Sequence, residues 1–234
     1  MVTLQNNTKF YKAISYKHFM AIKKGDFIEL DFIGRLKETN SIFDLTNEKD
    51  AKANEVYNPK MKYGPKSICV GEGHLVKGLD EALIGKDLKE YKIELESEQA
   101  FGKKDPKLMK IVNTNIFLKQ QIRPFPGLQV NIDNMIGIIK TVSGGRTIVD
   151  FNHPLAGHPV VYEIKILKLI KEDKEKLSAL LDPAKHLFQL EINVELKDGE
   201  ATIKSKLPEL LEKGFKERIK ELIPSIKKLT FVKQ

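Results

Sequence analysis

The segment that most constrains this chain is VVYEIKILKLI at 160–170, where large apolar residues alternate with charged ones over a full strand length. Period-two alternation of that kind buries one side of a β-strand and wets the other. A second such segment, FIELDFIGRL (27–36), lies far upstream, and Phe27, Leu30 and Phe32 are placed to feed a core face. Between them KSICV (66–70) reads as a short apolar strand and YKIELESEQAFG (91–102) as an alternating one ending in a loop. GEGHLVKGLDEALIG (71–85) reads as a helix between glycines. Leu75, Leu79, Ala82 and Leu83 fall on one face at helical spacing, and Gly85 can supply a left-handed stop. The stretch 47–65, with its Asn-Pro and Gly-Pro pairs, reads as a long loop.

From 104 to 150 the character changes to a short run rich in Met, Ile and Phe, closing in MIGIIKTV-SGG-RTIVDF, a hairpin about a Gly-Gly turn. After 171 it changes again. KEDKEKLSALL (171–181) is a charged helix expected to end before Asp182-Pro183. HLFQLEINVEL and EATIKSKL form a hairpin about Asp198-Gly199, Pro208 opens a second helix, and IKKLTFV is a last strand. This αββαβ unit buries little surface alone, so docking or dimerisation is expected to support it.

The 234 residues suit one or two domains of roughly 100–150 residues each. No stretch approaches the roughly 20 consecutive apolar residues of a membrane helix, so no membrane role is expected. One cysteine, Cys69, excludes an internal disulfide framework and suits a reducing cytoplasm; as a residue of SICV it reads as buried strand filler. The net charge is +8, and residues 1–24 hold Lys9, Lys12, Lys17, Lys23 and Lys24 with no acid. Nucleic acid is nevertheless not an expected partner, since no basic motif interleaved with aromatics accompanies the charge. The first 22 residues read as an extension to the fold.

Classical catalytic chemistry is missing. His18, His74, His153, His158 and His186 show no metal-ligand spacing, so no metal and no cofactor is expected. GEG lacks the remaining glycine of a dinucleotide fingerprint, and no G-x-S-x-G marks a nucleophile. His153 and His158 each precede a proline in FNHPLAGHP (151–159) and read as loop structure rather than zinc ligands.

GRLKETNSIFDLT, YNPKMKYGPKSICVGEGHLVKGLDEALIGKDL, QAFGKKDP and VDFNHPLAGHPVVYEIKILKL together closely resemble the FKBP-type peptidyl-prolyl cis-trans isomerases, specifically the SlyD-like, long archaeal kind. The resemblance runs in order from about Lys23 to Ile170. It implies an α+β fold: an antiparallel half-barrel sheet around one helix (residues 23–103 plus 150–170), a small β-rich domain inserted in the flap (104–149), and a C-terminal α+β domain (171–234). It implies a proline pocket lined by Phe32, Phe43, Val76, Leu79, Phe101 and Tyr162, with Asp44 as polar member, the Val76 N–H as donor to the substrate, and Leu155 and Ala156 on the rim. Many relatives carry tyrosine at the Phe32 and Phe101 positions and tryptophan at that of Leu79. The histidine- and cysteine-rich tail of some bacterial members has no counterpart.

In the insert, Leu108, Met109, Ile116, Phe117, Phe125, Met135 and Ile138 are candidates for an adaptable patch that binds unfolded chain, half or more of them being needed for the insert's own core. The expected activity is X-Pro isomerisation in unfolded or partly folded polypeptides in the cytoplasm, with chaperone action from the insert and dimerisation through the C-terminal domain. The alternative is a non-catalytic chaperone, a holdase with a vestigial pocket.

Overall fold

The computed structural model describes residues 21–233, which divide into two compact units, 21–94 with 161–233 and 95–160. The basic segment up to residue 20 lies outside the described residues. In chain order the strands are β1 (Phe27–Leu36), β2 (Ile42–Leu45), β3 (Lys66–Cys69), β4 (Glu90–Leu95), β5 (Met109–Asn113), β6 (Gln129–Ile132), β7 (Met135–Ser143), β8 (Arg146–Asp150), β9 (Val160–Leu169), β10 (Asn193–Lys197), β11 (Glu200–Lys204) and β12 (Lys228–Val232). The helices are α1 (Glu48–Ala53), α2 (Lys77–Leu83), α3 (Thr114–Lys119), α4 (Asp173–Leu187) and α5 (Glu209–Leu222).

In the first unit β2, β1, β9 and β4 lie in that order in a curled antiparallel half-barrel, and β3 also pairs with β1. One edge of β1 is therefore shared: β3 takes its first half (Phe27 opposite Cys69, Leu30 opposite Lys66), β2 its second (Ile33 opposite Leu45, Gly34 opposite Asp44). Alternation then decides what faces inward. Ile28, Leu30 and Phe32 of β1 and Tyr162, Ile164 and Ile166 of β9 are buried, as are Leu79 and Leu83 of α2. Ile22 is also buried, and its backbone bonds to Gly85 and Lys86, so the fold begins before residue 23.

Three expectations are corrected here. The stretch 47–65 opens with a short helix, and only the part after Ala53 is turn and loop. Asn47 caps α1 by accepting from the N–H groups of Lys49 and Asp50, Ala51 is fully buried, and Lys52 pairs with Glu48 one turn back. Helix α2 starts at Lys77 and leaves Leu75 outside it. Gly71 (φ 88°) and Gly73 (φ 71°) turn the chain first, and the Asp80 carboxylate accepts from both their N–H groups at 2.9 and 3.1 Å. Helix α4 runs through Asp182-Pro183 to Leu187 because its buried face, Leu177, Leu181 and Ala184, continues past the exposed proline.

The C-terminal elements have the expected αββαβ order, with β10 antiparallel and β12 parallel to β11. Their core of Leu177, Leu181, Ile203, Leu207, Ile219 and Ile223 also takes in Phe27, Cys69 and Ile170. Phe27 thus lies opposite to Leu30 and Phe32 in parity and serves the C-terminal domain, not the half-barrel interior.

The second unit holds a four-stranded sheet in the order β5, β8, β7, β6, with Gly144 and Gly145 at φ 57° and 74° in the β7–β8 turn. Its core is Phe117 of α3 with Val130, Ile139 and Val149. Phe117 is 2% exposed and is core filler; it is withdrawn from the substrate-binding candidates. Gly137 is required by packing, because a Cβ there would stand 2.6 Å from Val149 Cγ1 and 2.8 Å from the Phe151 ring.

Candidate functional site

Within the first unit, three of the pocket candidates meet. The Tyr162 ring receives Phe32 edge-on at a centroid distance of 5.8 Å and Phe43 at 5.7 Å, the latter nearly perpendicular (89°). Edge-to-face aromatic contacts at this range hold ring positions as well as burying area. The three rings come from neighbouring strands of one sheet: β1, β9 and β2. Gly34, beside them on β1, is what admits the Phe43 ring, since a Cβ there would lie 2.7 Å from Phe43 Cζ.

Asp44 follows Phe43 on β2 and is half-buried. Burial pushes its carboxyl above the ordinary range, against the opposing pull of the Lys66 charge and the Leu45 N–H. Burial, and secondarily the Asp44 charge, pushes the Tyr162 hydroxyl up as well. Lys66, on β3, places its Nζ 5.6 Å from the Phe32 ring centroid. The backbone behind Phe32 is pinned: Thr46 Oγ1 accepts from the Phe32 N–H at 2.9 Å and donates to Asp31 Oδ1 at 2.7 Å. Leu79 is fully buried and Val76 is the N-cap residue of α2, its carbonyl accepting from the Leu79 and Asp80 N–H groups.

Phe101, Leu155 and Ala156 belong to the second unit. Phe101 stacks face to face on His153, with centroids 4.8 Å apart and planes within 3°. His153 Nδ1 accepts from the Leu155 N–H at 3.2 Å and its carbonyl from the Ala156 N–H at 2.9 Å. Asn152 ties the same loop to the Asp105 backbone in both directions, at 2.8 and 3.0 Å. The NHPLAG histidine is thus a loop brace and a platform for Phe101. His74 accepts from the Cys69 N–H, and burial lowers its basicity; His186 contacts the Asp182 carbonyl. Among the described residues no group of three or more His, Cys, Asp or Glu side chains is placed to hold a metal ion. No helix among them is long and apolar enough to cross a membrane.

Of the insert candidates, Leu108, Met109, Ile116, Phe125 and Met135 are exposed, while Ile138 is partly buried. Two large apolar strand residues that the sequence did not single out are more open still, Ile111 (68% exposed) and Ile136 (61%). Register explains them. Val149 and Ile139 face the core, so Met109, Ile111, Ile136 and Ile138 lie on the opposite face of the sheet, with Ile111 directly across from Ile148. Alternation within KLMKIV and MIGIIKTV carries that signal only once the core parity is known.

A family model described as "FKBP26, IF domain" matches residues 110–155. The chain is 32% identical over 146 residues to the short-type peptidyl-prolyl cis-trans isomerase of Methanocaldococcus jannaschii, spanning 62% of this chain and 92% of that protein. It is 28% identical over 110 residues to the FKBP-type 16 kDa peptidyl-prolyl cis-trans isomerase of Escherichia coli K12, covering 45% of this chain and 74% of that one. With the FKBP-type peptidyl-prolyl cis-trans isomerase SlyD of Helicobacter pylori it shares 23% identity over 136 residues, 56% of this chain and 73% of that protein.

Proposed function

This chain belongs to the FKBP-type peptidyl-prolyl cis-trans isomerases and catalyses rotation about X-Pro bonds; we propose that it does so in an apolar pocket lined by Phe32, Phe43, Val76, Leu79 and Tyr162 with Asp44 as its polar member. The observation that carries this reading is the Phe32–Tyr162–Phe43 ring cluster next to a half-buried carboxylate.

Rotation faces a barrier of about 18–20 kcal/mol because amide resonance is lost as the C–N bond twists. The planar amide is the more charge-separated state, so a pocket that strips water away favours the twisted one relative to bulk solvent. No proton needs to move. Aromatic walls supply the dry surface, and Asp44 and the Val76 N–H hold the chain on either side of the bond. A tenfold acceleration asks for only about 1.4 kcal/mol of such differential stabilisation.

The isomerase domain, 22–103 with 150–170, is accompanied in this reading by an insert, 104–149, that captures unfolded polypeptide on the open sheet face of Ile111 and Ile136 and on Met109, Ile116, Phe125 and Met135. The support is their exposure on a small domain that already has a separate core. The lone buried cysteine supports action in the cytoplasm. Leu187, Phe188 and Leu210, apolar and exposed in the C-terminal domain, support contact between two copies.

The test compares the full chain with Ile111→Ser/Ile136→Ser in two assays, isomerisation of a proline tetrapeptide anilide and proline-limited refolding of a protein. The double variant is expected to keep tetrapeptide turnover and lose most acceleration of refolding. Equal refolding rates would refute capture by this face. A parent chain inactive on both substrates yet able to suppress aggregation would favour the holdase.

A further inference from the structure

The C-terminal domain reaches the loop that leads into the proposed pocket. Glu72 sits between Gly71 and Gly73, and the N–H groups of both glycines are already held by the Asp80 carboxylate of α2. That leaves the Glu72 side chain pointing away, and Arg218 of α5 receives it. Arg218 Nε donates to Glu72 Oε2 at 2.9 Å, Nη2 pairs with Oε1, and Nη1 pairs with Glu221. Only 11% of the Glu72 side chain is exposed, against 40% of Arg218, so the carboxylate is shielded while the guanidinium keeps one side in solvent. A two-point guanidinium–carboxylate contact fixes orientation as well as distance.

We propose that Arg218 and Glu72 are positioning residues for isomerisation: through them the C-terminal domain fixes the 71–76 loop, and with it the Val76 N–H and the start of the helix that carries Leu79. The inference rests on the pocket assignment above. Asp80 holds the loop backbone from the α2 side, and His74, accepting from the Cys69 N–H, ties it to β3. Those anchors grip its backbone and the His74 ring, whereas Arg218 grips the Glu72 side chain from a third element, 146 residues away in sequence. Neither residue touches substrate, so loss of the pair acts through the placement of Val76 and not through binding area.

The experiment uses the full chain and a proline tetrapeptide anilide, with kcat and KM separated, and a urea midpoint for each variant. Arg218→Gln is expected to lower kcat roughly three- to tenfold with KM changed less than twofold. Arg218→Lys, which keeps the charge and loses the fork, is expected to recover only part of that. The exchange Glu72→Arg/Arg218→Glu is expected to recover more than either single change. A lowered urea midpoint with parental kcat at low temperature would overturn the proposal, leaving the pair as domain glue. Asp44→Ala is run in parallel. If it abolishes turnover while Arg218→Gln does not change it, the pocket stands and this inference falls; if Asp44→Ala is fully active, the pocket assignment fails and the inference falls with it.

Discussion

Replacing Gly34 by alanine is the sharpest small perturbation available at the ring cluster. Gly34 is not in the left-handed region, so the backbone accepts an alanine without strain. The added methyl would stand 2.7 and 2.9 Å from Phe43 Cζ and Cε2, and 3.0 Å from Tyr162 Cε1. Carbon atoms prefer about 3.5–4.0 Å, so both rings must retreat by up to about 1 Å. Overpacking of that size costs about 1–3 kcal/mol, against a gain of about 0.5–1 kcal/mol from removing a strand glycine. The net is a modest destabilisation, which the urea midpoint reads. Turnover should fall further, because Phe43 and Tyr162 are the surfaces that strip water from the amide. A tenfold loss in kcat/KM on a tetrapeptide corresponds to about 1.4 kcal/mol and is the expected minimum. A lowered midpoint with unchanged kcat/KM would refute the assignment of these rings to the pocket.

Two further outcomes follow from burial. Asp44 has a raised folded-state pKa, so its ionised form costs the fold stability; that cost is absent below the ordinary carboxyl value and grows as pH rises through the folded one. Asp44→Asn should therefore raise the urea midpoint at pH 7, leave it unchanged near pH 3, and lower turnover at pH 7; a variant less stable than the parent at pH 7 would contradict the sign. Burial, with Glu72 adding to it, pushes the Cys69 thiol up to about 12. A thiol reagent should then label the native chain only as fast as it unfolds, and complete labelling within minutes in the absence of denaturant would show that the site opens locally.

How much of this was legible depended on whether the signal was local. The alternation in FIELDFIGRL and VVYEIKILKLI carried β1 and β9, and Asp198-Gly199 carried its hairpin, because period and turn chemistry act over a few residues. The α1 helix had its cap signal in plain view at Asn47 with Glu48 and Asp50 behind it, but Asn-Pro and Gly-Pro nearby argued for loop. Pro183 argued just as locally for a helix end, and a buried face that continued to Ala184 overrode it. The site is the extreme case. Alternation marks Phe32 and Tyr162 as buried, and nothing in the chain says that Phe43, on a different strand, closes on Tyr162 at a right angle. Only the family resemblance gathered those residues beforehand. In the insert the obstacle was parity: Ile111 and Ile136 look like core until Val149 and Ile139 are known to face inward.

Phe27 exposes a deeper limit and also explains the C-terminal domain. A strand that alternates cleanly is read as having one buried face, and β1 has two. Ile28, Leu30 and Phe32 serve the half-barrel, while Phe27, first in the strand and paired with Cys69, is 3% exposed within the C-terminal core. Burying a phenylalanine contributes about 1.5–3 kcal/mol, a large increment for a domain of roughly 60 residues that has little interior of its own. Docking therefore needs no conspicuous interface motif. It needs one large residue at the end of a strand, a buried cysteine opposite it, and a polar clamp to set the angle, and Arg218 on Glu72 is that clamp. Because the clamp closes on the loop before α2 rather than on a neutral edge, the contact that stabilises the C-terminal domain is also the one placed to act on the pocket.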